Sequence, residues 1–273
     1  MRSAFSVACA ALCAGVLSAA PDVRFAGREY DFTRQRLFSG FDGRFCKVQP
    51  SVASDGRGTA LLTWQKLLLT GSDVFYGQYV SRSEDGGQSW GDPVDQAEFS
   101  YGETPRGRVS RYATVYYSPR NDRWFALGQE LLYQNDKDCV RHSSDGSVYG
   151  RPLYVSVDQE RGAYTGYKTL PLPFGYVCAL PFGQFVECEN GDLIVCIYYN
   201  DDTPAQAYHI ATVRYAFDGD GLKVVRAGTP ITTAGYSRSS EPSLAKLGDT
   251  YYMTLRTDEA GFFAESKDGL AFG

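Results

Sequence analysis

Histidine is nearly absent from this 273-residue chain: only His142 and His209 occur, far apart in sequence. No Cys-x-x-Cys pair accompanies them, so no zinc site is suggested. Clustered basic residues are missing as well. With 27 Lys and Arg against 32 Asp and Glu, the formal charge is −5, and no basic run offers to displace phosphate counterions, which argues against a nucleic-acid partner. Long Ala/Leu/Glu/Lys stretches at helical spacing are absent too. What is present is 20 Tyr, 16 Phe and 3 Trp, punctuated by 29 Gly and 12 Pro, and this reads as an all-β chain. At 43% hydrophobic and 22% charged it is a globular composition.

The start of the chain differs from the rest. Arg2 precedes an uncharged run over residues 3–20, rich in Ala, Val, Leu and Cys, that ends in Ser18-Ala19-Ala20. Residues 1–20 therefore read as a secretory signal peptide, with 21–273 as one secreted or periplasmic domain. A membrane anchor is the alternative, but the strongly apolar part is shorter than the ~20 residues a spanning helix needs. No other segment is apolar for long enough to span a bilayer, so the mature chain is expected to lack a membrane span. Without Cys9 and Cys13, the remaining Cys46, Cys139, Cys178, Cys188 and Cys196 are odd in number and irregularly spaced. That is no disulfide framework, and most are expected to be small buried hydrophobes.

Self-comparison reveals a repeat. Gln49-Pro50-Ser51 leads through Asp55-Gly56 to Leu62-Thr63-Trp64, Gln184-Phe185-Val186 through Asn190-Gly191 to Tyr198-Tyr199, and Glu241-Pro242-Ser243 through Leu247-Gly248 to Leu255-Arg256, each over the same interval of fifteen residues. Each is a strand, a tight turn and a second strand. A longer, degenerate copy runs from Arg111 to Leu127. After each hairpin comes a second signature, Ser83-Glu84-Asp85-Gly86, Ser143-Ser144-Asp145-Gly146, Ala216-Phe217-Asp218-Gly219 and Ser266-Lys267-Asp268-Gly269, expected to form the turn between a third and a fourth strand. Four such units about 50 residues apart predict a β-propeller of four-stranded blades.

The first of these turns, Ser83-Glu84-Asp85-Gly86-Gly87-Gln88-Ser89-Trp90, resembles the Asp box of the sialidase (neuraminidase) superfamily, and the resemblance extends over residues 49–273. It implies a six-bladed propeller represented here by about four blades, so that a third arginine and a nucleophilic tyrosine would lie outside these residues and the chain would be a fragment. It also implies an exported glycoside hydrolase releasing a terminal sugar, an acidic one among the candidates, from glycoconjugates. The motif marks a turn away from the active site and therefore speaks to fold more than to chemistry. No cofactor is implied.

In an antiparallel hairpin the start of one strand lies beside the end of the next. The repeat interval is thus expected to bring Gln49 to Trp64, Gln184 to Tyr199 and Glu241 to Arg256 at one central mouth. The resemblance makes Glu241 the partner of a tyrosine nucleophile, since a neutral phenol of pKa ~10 needs a base. It makes Arg256 a carboxylate anchor, a task suited to the rigid guanidinium fork; a plain cross-strand ion pair is the alternative. Asp73, between the second and third strands of the first unit, falls where the family carries its acid/base, and partial shielding from water would suit it to protonate a leaving oxygen. One departure is Val48, where the family pattern places an arginine before the first-blade proline. Lys47 or Arg44 could reach in to substitute, and Arg111 and Arg238 are further candidates at the mouth. That departure keeps a competing expectation open: a non-catalytic glycan- or protein-binding propeller whose mouth, lined by Gln49, Trp64, Gln184 and Tyr199, stacks on a neutral sugar.

Overall fold

A strand that is apolar on both faces is stable only between two covering layers. The run Leu193–Asn200 is such a strand: Leu193, Val195, Ile197 and Tyr199 are buried in one cluster while Ile194 and Cys196 are buried in another. The computed structural model describes residues 42–273 except 72 and 234, together with two strands nearer the start. Those two, β1 (Val23–Phe25) and β2 (Arg28–Tyr30), pair as a short antiparallel hairpin within a first unit, residues 1–41. The signal-peptide expectation for residues 1–20 lies outside the described residues.

The second unit, residues 42–273, holds three sheets, of four, nine and three strands, which divide into four successive blades, the second and third sharing the nine-stranded sheet. The first blade is β3 (Phe45–Ser54), β4 (Ala60–Leu68), β5 (Phe75–Ser83) and β6 (Val94–Asp95), in that order. After a short strand β7 (Gly102–Thr104), the second blade is β8 (Gly107–Ser118), β9 (Arg123–Tyr133), β10 (Gly150–Asp158) and β11 (Ala163–Thr169). The third is β12 (Cys178–Glu187), β13 (Leu193–Asn200), β14 (Tyr208–Asp218) and β15 (Gly221–Ala227). The fourth has three strands among the described residues, β16 (Ser240–Leu247), β17 (Thr250–Arg256) and β18 (Gly261–Ser266). A single parallel pairing, Gly150 with Cys178, joins the second and third blades at one end. This is the predicted all-β, propeller-like architecture, with the repeats falling on successive blades.

The blades are held together by aromatic and branched side chains packed between their faces. Phe125, Tyr154, Val195, Ile197, Val213 and Tyr215 fill the space between blades two and three, and Cys196, Ile210, Leu244, Met253 and Leu255 that between three and four. Each full burial of this kind stabilises by ~1.5–3 kcal/mol. Cys139, Cys188 and Cys196 are buried and reduced within such clusters.

The Ser83–Trp90 turn is closed by its own side chains. Ser89 donates its hydroxyl (2.6 Å) and backbone N–H (2.8 Å) to Asp85, Ser83 Oγ donates to Asp85 Oδ1 (2.7 Å), and Trp90 Nε1 donates to the Gly87 carbonyl (3.0 Å). The Ser89 hydroxyl, foremost among these donors, holds the Asp85 carboxyl well below the usual carboxylate range. The Ser266–Gly269 turn repeats the scheme. Ser143–Gly146 does not sit as the repeat predicts. It has the same local bonding, Ser143 Oγ to Asp145 Oδ1 at 2.9 Å, but lies between β9 and β10, the second and third strands. The turn between the third and fourth strands of that blade is formed instead around Asp158 and Gly162. A Ser-x-Asp-Gly turn is specified by bonds within itself, so it can close either end of a blade.

Candidate functional site

The ends at which β3, β8, β12 and β16 begin and β4, β9, β13 and β17 finish surround one cavity of about 360 Å³. Blade one contributes Gln49, Asp73 and Phe75; blade two Tyr112, Gln129, Leu131 and the Cys139-Val140-Arg141 segment; blade three Leu180, Phe182, Tyr198, Asn200 and Tyr208; blade four Arg238, Ser240, Glu241 and Arg256. The floor is therefore apolar and aromatic, and the wall carries two carboxylates and three guanidiniums.

Backbone strain is concentrated here. Of the five non-glycine residues with positive φ among those described, Gln49 (51°), Asp73 (54°) and Glu241 (51°) line the cavity. A side-chain-bearing residue in this left-handed region is strained by ~1–3 kcal/mol and persists only where the surroundings over-determine it. For Gln49 and Glu241 the cause is a β-bulge. The β3–β4 register breaks between Val48 and Ser51 and the β16–β17 register between Ser240 and Ser243, in each case next to a proline that cannot donate to the ladder. The bulge re-aims Gln49 and Glu241 into the mouth.

Glu241 meets Arg256 as its repeat spacing predicts. Arg256 Nε and Nη2 donate to Glu241 Oε2 (2.5 Å) and Oε1 (2.8 Å), a bidentate fork, and Nη1 approaches Asp258 Oδ1 at 3.4 Å. The Arg256 hydrogen bonds lower the Glu241 carboxyl from its ordinary value against the opposing effect of burial. Arg238 also lines the cavity. Among the described residues its one ion pair is to Asp258 Oδ1 at 3.3 Å, and its buried Nε has no partner. This guanidinium therefore has donors to spare.

Asp73 sits in the β4–β5 loop on the same mouth. Its carboxylate is not shielded as expected: the side chain is 56% exposed and its Oδ2 is 2.7 Å from Arg141 Nη2. Arg141 escaped sequence reasoning because it lies in the segment 134–149, where the repeat pattern breaks. The available signal was length: this connection is more than twice as long as the matching segment 69–74, and long connections in compact domains are often functional. Tyr112, Tyr198 and Tyr208 were also missed. Burial pushes the Tyr198 phenol up, opposed in part by Arg238 and Arg141, and burial takes the Cys178 thiol on the cavity floor up to about 12.

Six sequence candidates do not reach the cavity, among them Arg44, which lies over the Phe45 ring at 4.8 Å. Trp64, 7% exposed, stacks on its cross-strand neighbour Tyr79 at 4.1 Å, and Lys47 lies over the indole at 5.1 Å. In blade three the positive-φ bulge residue is Gly183, one place before Gln184. Side chains alternate along a strand, so the one-residue offset turns Tyr199 away from the mouth and presents Tyr198. Tyr199 is 4% exposed and stacked on Phe174, its ladder partner is Ala179, and Gln184 is exposed outside the cavity. Blade two has no bulge between β8 and β9, and there Tyr112 faces the mouth while its neighbour Arg111 pairs with Glu130 (2.7 Å) and Tyr167. Glu130 is nearly buried and also bonds Arg106, so Arg111 belongs to a structural cluster.

Among the described residues no group of three or more His, Cys, Asp and Glu side chains could hold a metal, and no helix is long and apolar enough to cross a membrane.

No family model matches the chain, and no curated protein matches it. Solved structures do. It is similar to a Hadza microbial sialidase, with a TM-score of 0.64 and 13% identity over 89% of this chain and 50% of that one. A protein of unknown function from Dyadobacter fermentans matches with a TM-score of 0.59 and 17% identity over 84% of this chain and 68% of that one. A Trypanosoma rangeli sialidase mutant displaying trans-sialidase activity matches at 0.53 and 16% identity, over 89% of this chain and 38% of that one. The chain thus spans half the length of the first of these. At such identities the likeness establishes the fold, a sialidase-like β-propeller, which is also the fold of glycoside hydrolases and polysaccharide lyases among the neighbours.

Proposed function

We propose that this chain forms the substrate mouth of a sialidase-type glycoside hydrolase, exported by its first twenty residues, that acts on a terminal acidic sugar of a glycoconjugate. The convergence of Asp73, Arg141, Arg238, Glu241 and Arg256 on one cavity carries the reading. The cavity wall presents three guanidiniums, and Arg238, whose buried Nε has no partner among the described residues, offers a donor to an anion.

In this reading Arg238, with donors left over, and Arg256 hold the sugar carboxylate, each charge-assisted bond contributing ~1.5–3 kcal/mol. The aromatic floor of Tyr112, Tyr198 and Phe182 takes the apolar face of the ring. Asp73 delivers a proton to the leaving oxygen, and Glu241, charged and fixed by Arg256, is the base for a nucleophilic hydroxyl. The Ser83–Trp90 turn is assigned as an Asp box, with Asp85 as its hub.

A second reading, a glycan-binding propeller without turnover, is favoured by a specific observation: both carboxylates on the cavity wall are already paired with arginines. Fluorogenic glycosides separate the two. The hydrolase reading expects the full chain to release the fluorophore from an α-sialoside or another acidic glycoside, and Asp73→Asn to lower turnover by ~10²–10⁴-fold. Retention on a glycan array with no release from any glycoside would leave the binding module.

A further inference from the structure

We propose that Arg141 is the positioning residue for Asp73, holding one carboxyl oxygen so that the other delivers the proton; this rests on the hydrolase reading above. Three independent restraints converge on Asp73. Its backbone is in the left-handed region at φ 54°. Its carbonyl accepts the Tyr133 hydroxyl at 2.7 Å, and that same hydroxyl accepts the Phe75 N–H at 3.3 Å, clamping both sides of the loop end. Its Oδ2 receives Arg141 Nη2 at 2.7 Å, while Oδ1 accepts no hydrogen bond among the described residues.

Two of the three restraints come from the second blade. Tyr133 is the last residue of β9, and the segment 134–149 that follows it packs Cys139 with Val74 and Leu68 of the first blade, placing Arg141 over the loop. An exposed ion pair is ordinary by itself, but here it acts with the left-handed backbone and the Tyr133 clamp. Together they fix a strained, exposed aspartate in one orientation, as is required of a group that must meet a substrate atom within hydrogen-bond distance.

The chemistry follows from the division of the carboxyl. In the proposed step a proton carried on Oδ1 passes to the glycosidic oxygen as the bond from that oxygen to the sugar carbon breaks; the electron pair stays with the departing alcohol, and the sugar carbon bonds to the attacking hydroxyl, whose proton goes to Glu241. Asp73 is left as a carboxylate, and Arg141 on Oδ2 neutralises the charge as it appears. The interaction is stronger in the transition state than in the resting acid, the condition for raising turnover rather than affinity.

A graded series of leaving groups on one acidic glycone tests this in the full chain, with Asp73→Asn, Arg141→Ala and Arg141→Lys beside the parent. Departure of a strongly acidic nitrophenol needs little help from an acid, whereas an alkyl alcohol needs it fully. Arg141→Ala is expected to lose ~10–100-fold in kcat on the alkyl and weakly acidic aryl glycosides, and within about 3-fold on the nitrophenyl one, with little change in KM. Asp73→Asn should show the same ordering more steeply, and Arg141→Lys, keeping the charge without the fork, should fall between Arg141→Ala and the parent. An equal loss on every leaving group, or no loss, overturns the role of Arg141 while leaving the hydrolase reading standing. If the parent cleaves none of the series, the hydrolase reading itself fails and this role with it. Arg141 is half-exposed on a loop, and unchanged thermal unfolding of both variants confirms that the effect is local.

Discussion

Replacing Arg256 with alanine removes a bidentate ion pair, and its two consequences differ enough in size to be told apart. Both partners are exposed by more than a third, 42% for Arg256 and 44% for Glu241, so solvent screens the pair and its worth to stability falls in the surface range of ~0.2–1 kcal/mol. For a domain of this size ~1 kcal/mol shifts the midpoint of thermal unfolding by about 2–4 °C. The effect on an anionic ligand is expected to be larger: a lost charge-assisted contact of ~1.5–3 kcal/mol weakens affinity by roughly 10- to 150-fold. Urea denaturation and calorimetric titration with an acidic monosaccharide, made on the same samples, give both numbers. The Glu241 carboxyl is lowered by Arg256, so the pair stabilises the folded chain above the ordinary Glu range, and that contribution disappears as pH falls through the folded value. Arg256→Ala should accordingly flatten the acid limb of the stability curve. A stability loss above 2 kcal/mol with unchanged affinity would show that the pair is a hairpin staple and would refute the reasoning.

Tyr198 and Tyr199 provide a test of strand parity: Tyr198→Ala should weaken sugar binding, whereas Tyr199→Ala should lower stability by ~3–5 kcal/mol, read by urea denaturation, and leave affinity unchanged. The Asp85 carboxyl, held down by Ser89, supports its turn above the ordinary Asp range and ceases to do so as acid protonates it; Asp85→Asn should remove that part of the acid sensitivity, as followed by tryptophan fluorescence of Trp90. Arg111→Ala leaves the nearly buried Glu130 with one guanidinium in place of two, so it should destabilise the chain without altering sugar affinity.

The repeat was legible because hairpins announce themselves locally: Asp55-Gly56, Asn190-Gly191 and Leu247-Gly248 each close a turn whose flanking strands pair in the predicted order. The Glu241–Arg256 contact was legible from the fifteen-residue interval, while the bulge beside Pro242 that aims Glu241 was not. Blade three carries its bulge at Gly183, after Pro181 rather than before a proline, and a one-residue slip in a structure of period two exchanges Tyr198 for Tyr199. In blade two the ladder runs unbroken from Arg108 to Ser118, so nothing re-aims Arg111. Arg141 could not be placed from its neighbours in sequence. Its meeting with Asp73 is a contact between blades, fixed by the packing of Cys139 against Val74.

Everything functional depends on the cavity at the blade ends receiving an acidic sugar. Crystals of the chain soaked with such a sugar measure this directly. The account predicts density in the cavity bounded by Gln49, Asp73, Tyr198 and Glu241, with the ligand carboxylate within hydrogen-bond distance of Arg238 or Arg256. Sugar bound on the opposite rim, beside the Ser83–Trp90 turn, with the cavity vacant, would contradict it.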